Sequence, residues 1–176
     1  MYRTILTSIS TLPALTQLTR LSLRGCYKSN DTSKILGSAG VRVLARALAD
    51  NTCVTCVDLR GNNMTCEHLE LLLPALASLP SLRALDLSYN RITASDACHV
   101  ICALAYAAVR RGGVSCSNLS MEGNGFIPED VVACSTWAHD LRLPLPPVQV
   151  VKKGFGHIVT YLSGWGRGVG GWGLRV

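Results

Sequence analysis

One pattern recurs four times along the 176-residue chain and constrains its fold more than any other feature. The pattern is LxxLxLxxN with conservative substitutions. It reads Leu18, Leu21, Leu23, Cys26; Val54, Val57, Leu59, Asn62; Leu82, Leu85, Leu87, Asn90; and Cys116, Leu119, Met121, Asn124. Self-similarity of this kind points to a stack of like units rather than to a single globular plan. The middle copies lie 28 residues apart, and the outer spacings of 36 and 34 put about eight and six extra residues into connections. A second block of thirteen residues aligns without gaps at Leu36–Leu48, Met64–Leu76, Ile92–Leu104 and Phe126–Ala138. The insertions therefore fall in the polar stretch Tyr27–Lys34 and around Arg110–Gly113, and both read as surface loops.

Each unit combines two periods. Apolar residues at alternate positions of LxL describe a short strand with one face buried. The thirteen-residue block is apolar at spacings of three and four, as in Val41, Leu44, Leu48; Leu69, Leu72, Leu76; and Ala97, Val100, Leu104, which predicts an amphipathic helix. Thr65 and Thr93 are placed to cap two of these helices, and Pro128 stands at the start of the fourth, where no backbone donor is needed. Asparagine at the ninth position offers a side chain that can hydrogen-bond the turn after the strand and the backbone of neighbouring units; Cys26 fills that position in the first copy. A lone strand and helix cannot bury their apolar faces, so the units must stack, with parallel strands on a concave side and helices on a convex one.

These residues resemble the leucine-rich repeats of ribonuclease-inhibitor-like proteins. Val54–Leu76 and Leu82–Leu104 are similar to its helical repeat of about 28 residues, and Leu36–Val41 followed by Leu44 and Leu48 is typical of it. The resemblance spans residues 12–138. It implies an α/β leucine-rich-repeat solenoid, a horseshoe arc of about four repeats plus a partial N-terminal one. Similar arrays serve as ribonuclease inhibitors, Ran GTPase-activating proteins, innate sensors, actin regulators and flagellar components, and share a binding surface rather than a chemistry.

Leu12, Leu15 and Leu18 lead into the first strand as Leu76, Leu79 and Leu82 lead into the third. Residues 4–15 thus read as the helix of a preceding unit, either an N-terminal cap or part of a longer array. Residues 1–30, with Arg3, Arg20, Arg24 and Lys28 and many Ser and Thr, also fit a mitochondrial transit peptide as a secondary reading.

The net charge of +6 is unevenly spread. Residues 1–145, the expected repeat domain, hold thirteen basic and eleven acidic side chains, whereas residues 146–176 hold Lys152, Lys153, Arg167 and Arg175 and no acid. Neither part has the dense basic stripe of a phosphate-tracking surface, so nucleic acid is not an expected partner. The uncharged apolar run Ala97–Val109 is too short to span a bilayer, and no transmembrane segment is expected. The tail 146–176 places glycines at 154, 156, 164, 166, 168, 170, 171 and 173 among Phe155, Tyr161, Trp165 and Trp172, and is expected to be a disordered basic appendage without strand or helix.

The cysteines at 26, 53, 56, 66, 98, 102, 116 and 134 read mainly as small apolar residues at repeat positions, reduced in an intracellular protein. Cys53 and Cys56 form a CxxC without the second pair that a zinc ribbon needs, and Cys98 and Cys102 share an outward helical face without two further ligands. His99 aligns with Val43 and Leu71 and is expected to be packed; His68 aligns with Asp96 and is expected on the solvated surface. No phosphate loop or nucleophile elbow is present, so no catalytic residue, metal or cofactor is assigned and the chain is read as a non-enzyme.

Strand alternation sends the third, fifth and seventh positions of each copy to the concave face. The rows are Arg20, Cys56, Ala84, Asn118; Ser22, Asp58, Asp86, Ser120; and Arg24, Arg60, Ser88, Glu122. At the eighth position Gly25, Gly61 and Gly123 flank Tyr89. Arg20, Arg24, Asp58, Arg60, Asp86, Tyr89, Asn118 and Glu122 are therefore the candidate partner-binding residues, graded from basic to acidic along the array. The expected function is a non-catalytic, intracellular (cytoplasmic) module binding another protein on the concave face. The alternatives are a GTPase-activating regulator resembling Ran GTPase-activating proteins and a subunit of a cytoskeletal, flagellar or mitochondrial assembly.

Overall fold

The structure, a computed structural model, describes residues 18–25, 36–110, 116, 118–125, 148–153 and 157–162. The expected N-terminal helix 4–15, the insertion Tyr27–Lys34, the fourth helical block and most of the glycine-rich tail lie outside the described residues.

The described part alternates strand and helix as the two periods require. The order is β1 (Arg20–Ser22), α1 (Ser38–Ala49), β2 (Cys56–Asp58), α2 (Cys66–Ser78), β3 (Ala84–Asp86), α3 (Ala94–Arg110) and β4 (Asn118–Ser120). The four strands form one parallel sheet in the order β1-β2-β3-β4. Its register places Leu21, Val57, Leu85 and Leu119 in one row, so equivalent residues of successive copies face one another. Parallel neighbours are joined by helical crossovers, and the helices stack in the same succession as the strands, α1 against α2 and α2 against α3.

The central residue of each strand is buried against the helices. Val41, Leu44 and Leu48 of α1, Leu69, Leu72 and Leu76 of α2, and Ala97, Val100 and Leu104 of α3 are all buried, which is the stripe that spacings of three and four predict. Among the described residues the core cluster contains no aromatic side chain; it is built from Leu, Val, Ile and Ala with Met64, Met121 and Cys116. Pro74 falls within α2 on its exposed side, where its ring leaves the core stripe undisturbed.

Both threonine caps form. Thr93 N and Oγ1 donate to Asp96 Oδ2 at 2.9 and 2.8 Å, and Asp96 N donates back to Thr93 Oγ1 at 3.3 Å. At α2 the acid is replaced by His68, whose Nδ1 accepts from Thr65 N at 3.1 Å. His68 Nε2 also lies 3.2 Å from Ser38 Oγ and so links α2 to α1. The half-buried His68 therefore corrects the expectation of a solvated residue: its alignment with Asp96 marks the third helical position of a capping box. His99 is exposed rather than packed, because its column runs along the outer margin of the helices, where Leu71 is also exposed.

The second insertion is partly helical. α3 has 17 residues against 12 and 13 in α1 and α2, so its extra turn continues to Arg110 instead of forming loop there.

The segment expected to lack strand contains an antiparallel pair, β5 (Val148–Lys153) with β6 (His157–Leu162), and β6 lies next to β4. The physical reason lies in where the glycines fall. Neither strand contains one, both are rich in β-branched residues, and Gly154 and Gly156 occur only in the connection.

Candidate functional site

The sheet face opposite the helices is built by strand alternation. Arg20, Cys56, Ala84 and Asn118 form one row across the four strands, and Ser22, Asp58, Asp86 and Ser120 the next. The ladder runs on beyond the strands. Leu23 N, Leu59 N and Leu87 N donate to Asp58 O, Asp86 O and Ser120 O at 2.8 Å each, and Gly25 N and Gly61 N donate to Arg60 O and Ser88 O at 2.9 Å. Arg24, Arg60, Ser88 and Glu122 therefore belong to a third row on the same scaffold.

The turn after each strand is held by the asparagine column. Asn62 Nδ2 donates to Leu23 O and Leu59 O at 2.7 and 2.9 Å, and Asn90 Nδ2 to Leu59 O and Leu87 O at 3.1 and 2.8 Å. Asn124 Nδ2 donates to Leu87 O and Met121 O at 2.9 Å each. Their Oδ1 atoms accept from the preceding repeat: Asn90 Oδ1 from Asn62 N and Met64 N, Asn124 Oδ1 from Asn90 N and Ile92 N. All three side chains are buried, and each is matched as a donor and as an acceptor.

This scaffold brings the candidate residues together in two groups. In the first, Arg24 Nε donates to Asp58 Oδ2 at 3.0 Å, Ser22 Oγ approaches the same oxygen at 3.4 Å, and Asp58 Oδ1 accepts from Arg60 N at 3.1 Å. Arg24 is 60% exposed, so this pair contributes at most about 1 kcal/mol.

The second group spans three repeats. The Arg60 guanidinium carbon lies 4.5 Å from the centroid of the Tyr89 ring, and Tyr89 Oη donates to Glu122 Oε1 at 3.0 Å. The ring rests on Gly123, where an added Cβ would come within 2.8 Å of Tyr89 Cδ1. At the eighth position Gly61 and Gly123 are left-handed, with φ of 72° and 70°, whereas Gly25 is not. Tyr89 adopts φ 54° there, a conformation that costs a bulky side chain energy and is offset by its ring and hydroxyl contacts.

Asp86 Oδ1 accepts from Ser88 N at 2.9 Å, and among the described residues it has no ion-pair partner. Arg20 and Asn118 stand exposed at opposite edges of the face. Ser88 differs from the alternation pattern. It is fully buried, 2.8 Å from Ser120 Oγ, and accepts from Glu122 N at 3.2 Å, so it braces the face from beneath.

Among the described residues no cluster of three or more His, Cys, Asp or Glu converges on a point where a metal could sit. Cys53, Cys56, Cys66, Cys102 and Cys116 carry free thiols, while Cys98 is disulfide-bonded, which corrects the expectation of thiols throughout. A hydrogen bond to Asp96 pushes the exposed Cys66 thiol up to about 11, with desolvation and the Glu70 carboxylate adding to it. Burial raises Cys102, and raises Cys116 to about 11. The face thus carries arginines, carboxylates and one tyrosine, of which Arg24, Asp58, Arg60, Tyr89 and Glu122 are held by contacts with one another.

The Leucine Rich repeat family model matches residues 50–70 and 78–97, which contain β2 and β3. No curated protein matches the sequence. Among solved structures, the tropomodulin C-terminal domain of Caenorhabditis elegans is similar with TM-score 0.56 and 16% identity, over 76% of this chain and 74% of that one. Actin-binding site 2 of leiomodin-1 is similar with TM-score 0.55 and 14% identity, over 77% of this chain and 71% of that one. At such identity the likeness is one of fold. Among the described residues no helix is long and apolar enough to cross a membrane.

Proposed function

We propose that this chain, a leucine-rich-repeat protein, is a non-catalytic binding module that docks another protein on the open face of its sheet. The carrying observation is the row Arg24, Arg60 and Glu122 with Tyr89, pre-ordered across successive strands. The helix-bearing repeat of 28 residues supports placing it with the ribonuclease-inhibitor-like arrays, whose stacking would curve the sheet into the concave side of an arc. Residues 1–145 are assigned to the binding domain and 146–176 to an appendage. Among the described residues, five free thiols accord with an intracellular location, and the Cys98 disulfide is the observation that stands against it.

The likeness to actin-binding site 2 of leiomodin-1 makes actin the first partner to try. Purified monomeric actin is titrated against the wild type, Arg60→Glu and Asp86→Lys. Each reversal is expected to weaken binding about tenfold or more, since like charges then face each other across the contact. Equal affinity of both variants and the wild type would move the site off this face. Absence of binding by the wild type would remove actin as the partner.

A further inference from the structure

We infer that the rim formed by Arg24, Arg60 and Tyr89 is a receptor for an acidic peptide segment of a partner protein, with Arg60 taking one of its carboxylates in a bidentate fork. The inference deepens the open-face reading and rests on it. It begins from a contrast between the charged groups of the face. The carboxylates are already engaged: Asp58 accepts from Arg24, Ser22 and Arg60 N, Asp86 from Ser88 N, and Glu122 from the Tyr89 hydroxyl. The guanidiniums are engaged less fully. Arg24 meets Asp58 through Nε alone, and among the described residues Arg60 is paired with no carboxylate.

Arg60 instead lies over the Tyr89 ring. Stacking orients the guanidinium plane and leaves its N–H groups, which radiate from its edge, available to a planar acceptor. The residue supporting that plane is itself held. Tyr89 shares the left-handed backbone of Gly61 and Gly123, rests on Gly123, and is tied by its hydroxyl to Glu122. Glycine would adopt that backbone without strain, but it would provide neither the ring nor the hydroxyl contact.

The surroundings fit an extended acidic chain. Arg24 and Arg60 come from adjacent strands, joined through the bond from Gly25 N to Arg60 O. Gly25 and Gly61 follow them and let the two turns pack closely, since a Cβ on Gly25 would run into Gly61 O, so the two arginines are held on neighbouring backbones. Arg20 extends the positive end along β1. Glu122 and Asp86 lie toward the other end and would repel an acidic chain bound in the reverse sense.

The test uses the full chain and fluorescein-labelled hexaglutamate, followed by fluorescence anisotropy at low ionic strength, with labelled hexalysine as the opposite charge. Wild type is expected to bind hexaglutamate saturably and hexalysine not at all. Arg60→Gln is expected to weaken hexaglutamate binding about tenfold, the loss that one charge-assisted bidentate contact implies. Arg60→Lys keeps the charge but not the fork and is expected to lose several-fold as well. Arg42→Gln, with the same charge change on the exposed side of α1, is expected to bind as wild type. Thermal melts of each variant confirm folding, and Arg60→Lys decides if Arg60→Gln does not fold. The inference is overturned if wild type fails to bind hexaglutamate, if hexalysine binds instead, if Arg60→Lys matches wild type, or if Arg42→Gln loses as much as Arg60→Gln. A lost peptide site with actin binding still sensitive to charge reversal sinks this inference alone. A retained peptide site with actin binding insensitive to reversal sinks the actin docking on this face alone.

Discussion

Asn90 is 4% exposed, and its amide matches five backbone groups, Leu59 O, Leu87 O, Ser88 O, Asn62 N and Met64 N, belonging to two repeats. Truncating it strands Asn62 N and Met64 N away from water, whereas Leu59 O and Leu87 O keep Asn62 Nδ2 and Asn124 Nδ2; each stranded group costs about 1–3 kcal/mol, less whatever relaxation recovers. Asn90→Ala is therefore expected to destabilise the fold by about 3 kcal/mol in urea unfolding; a loss under about 1 kcal/mol would mean the column is dispensable. That column was legible in the sequence, because only a short amide at a fixed offset donates and accepts at once. The role of Tyr89 was legible only in part. Its singularity among glycines was visible, whereas the stack with Arg60 depends on which rotamers meet between two adjacent repeats. Cys66 was not legible at all. Its thiol lies at about 11 instead of 9.0 because Asp96, in the next repeat, accepts from it. The thiolate fraction at pH 8 falls about a hundredfold, and the greater nucleophilicity of a more basic thiolate returns about tenfold of that. Iodoacetamide is therefore expected to label Cys66 about tenfold more slowly than an unstructured cysteine, and Asp96→Asn to speed it. Equal rates in the two proteins would remove Asp96 as the cause.

Among elements, the helices follow from pattern and caps together. The stripe orients each helix and the threonine starts it, so α2 and α3 begin where the sequence places them. The acid of the α3 cap also makes this element sensitive to pH. Burial alone would raise the Asp96 carboxyl, but bonds from Thr93 N, the Cys66 thiol and Thr93 Oγ1 hold it below the usual carboxylate range. A lowered folded value stabilises the protein above the unfolded value of about 4, and that stabilisation is lost as pH falls through the folded one. Urea unfolding at pH 7 and pH 3 is expected to show a drop in wild type about 1 kcal/mol larger than in Asp96→Asn. Parallel drops would assign the acid lability to other carboxylates. The hairpin β5–β6 teaches a different lesson: average glycine content hid two strands that contain none.

For the whole molecule, stability comes from repeats covering one another, since no repeat has a core of its own. Leu85 is 1% exposed at the centre of β3 and lies between Val57 and Leu119 in the sheet register. Leu85→Ala is expected to cost about 2–5 kcal/mol and to raise hydrogen exchange in α2 and α3 together. Faster exchange confined to β3 would show that the repeats are less coupled than their stacking implies. The period of the pattern by itself determined the strand–helix alternation, the parallel register and the buried stripe, because a residue repeated at a fixed interval has no other way to bury its apolar side. The tertiary structure alone decided which charged residues of the open face pair with each other and which do not. Those pairings depend on distances between side chains some thirty residues apart, such as Arg24 and Asp58 or Tyr89 and Glu122, which the stack brings within 3.0 Å.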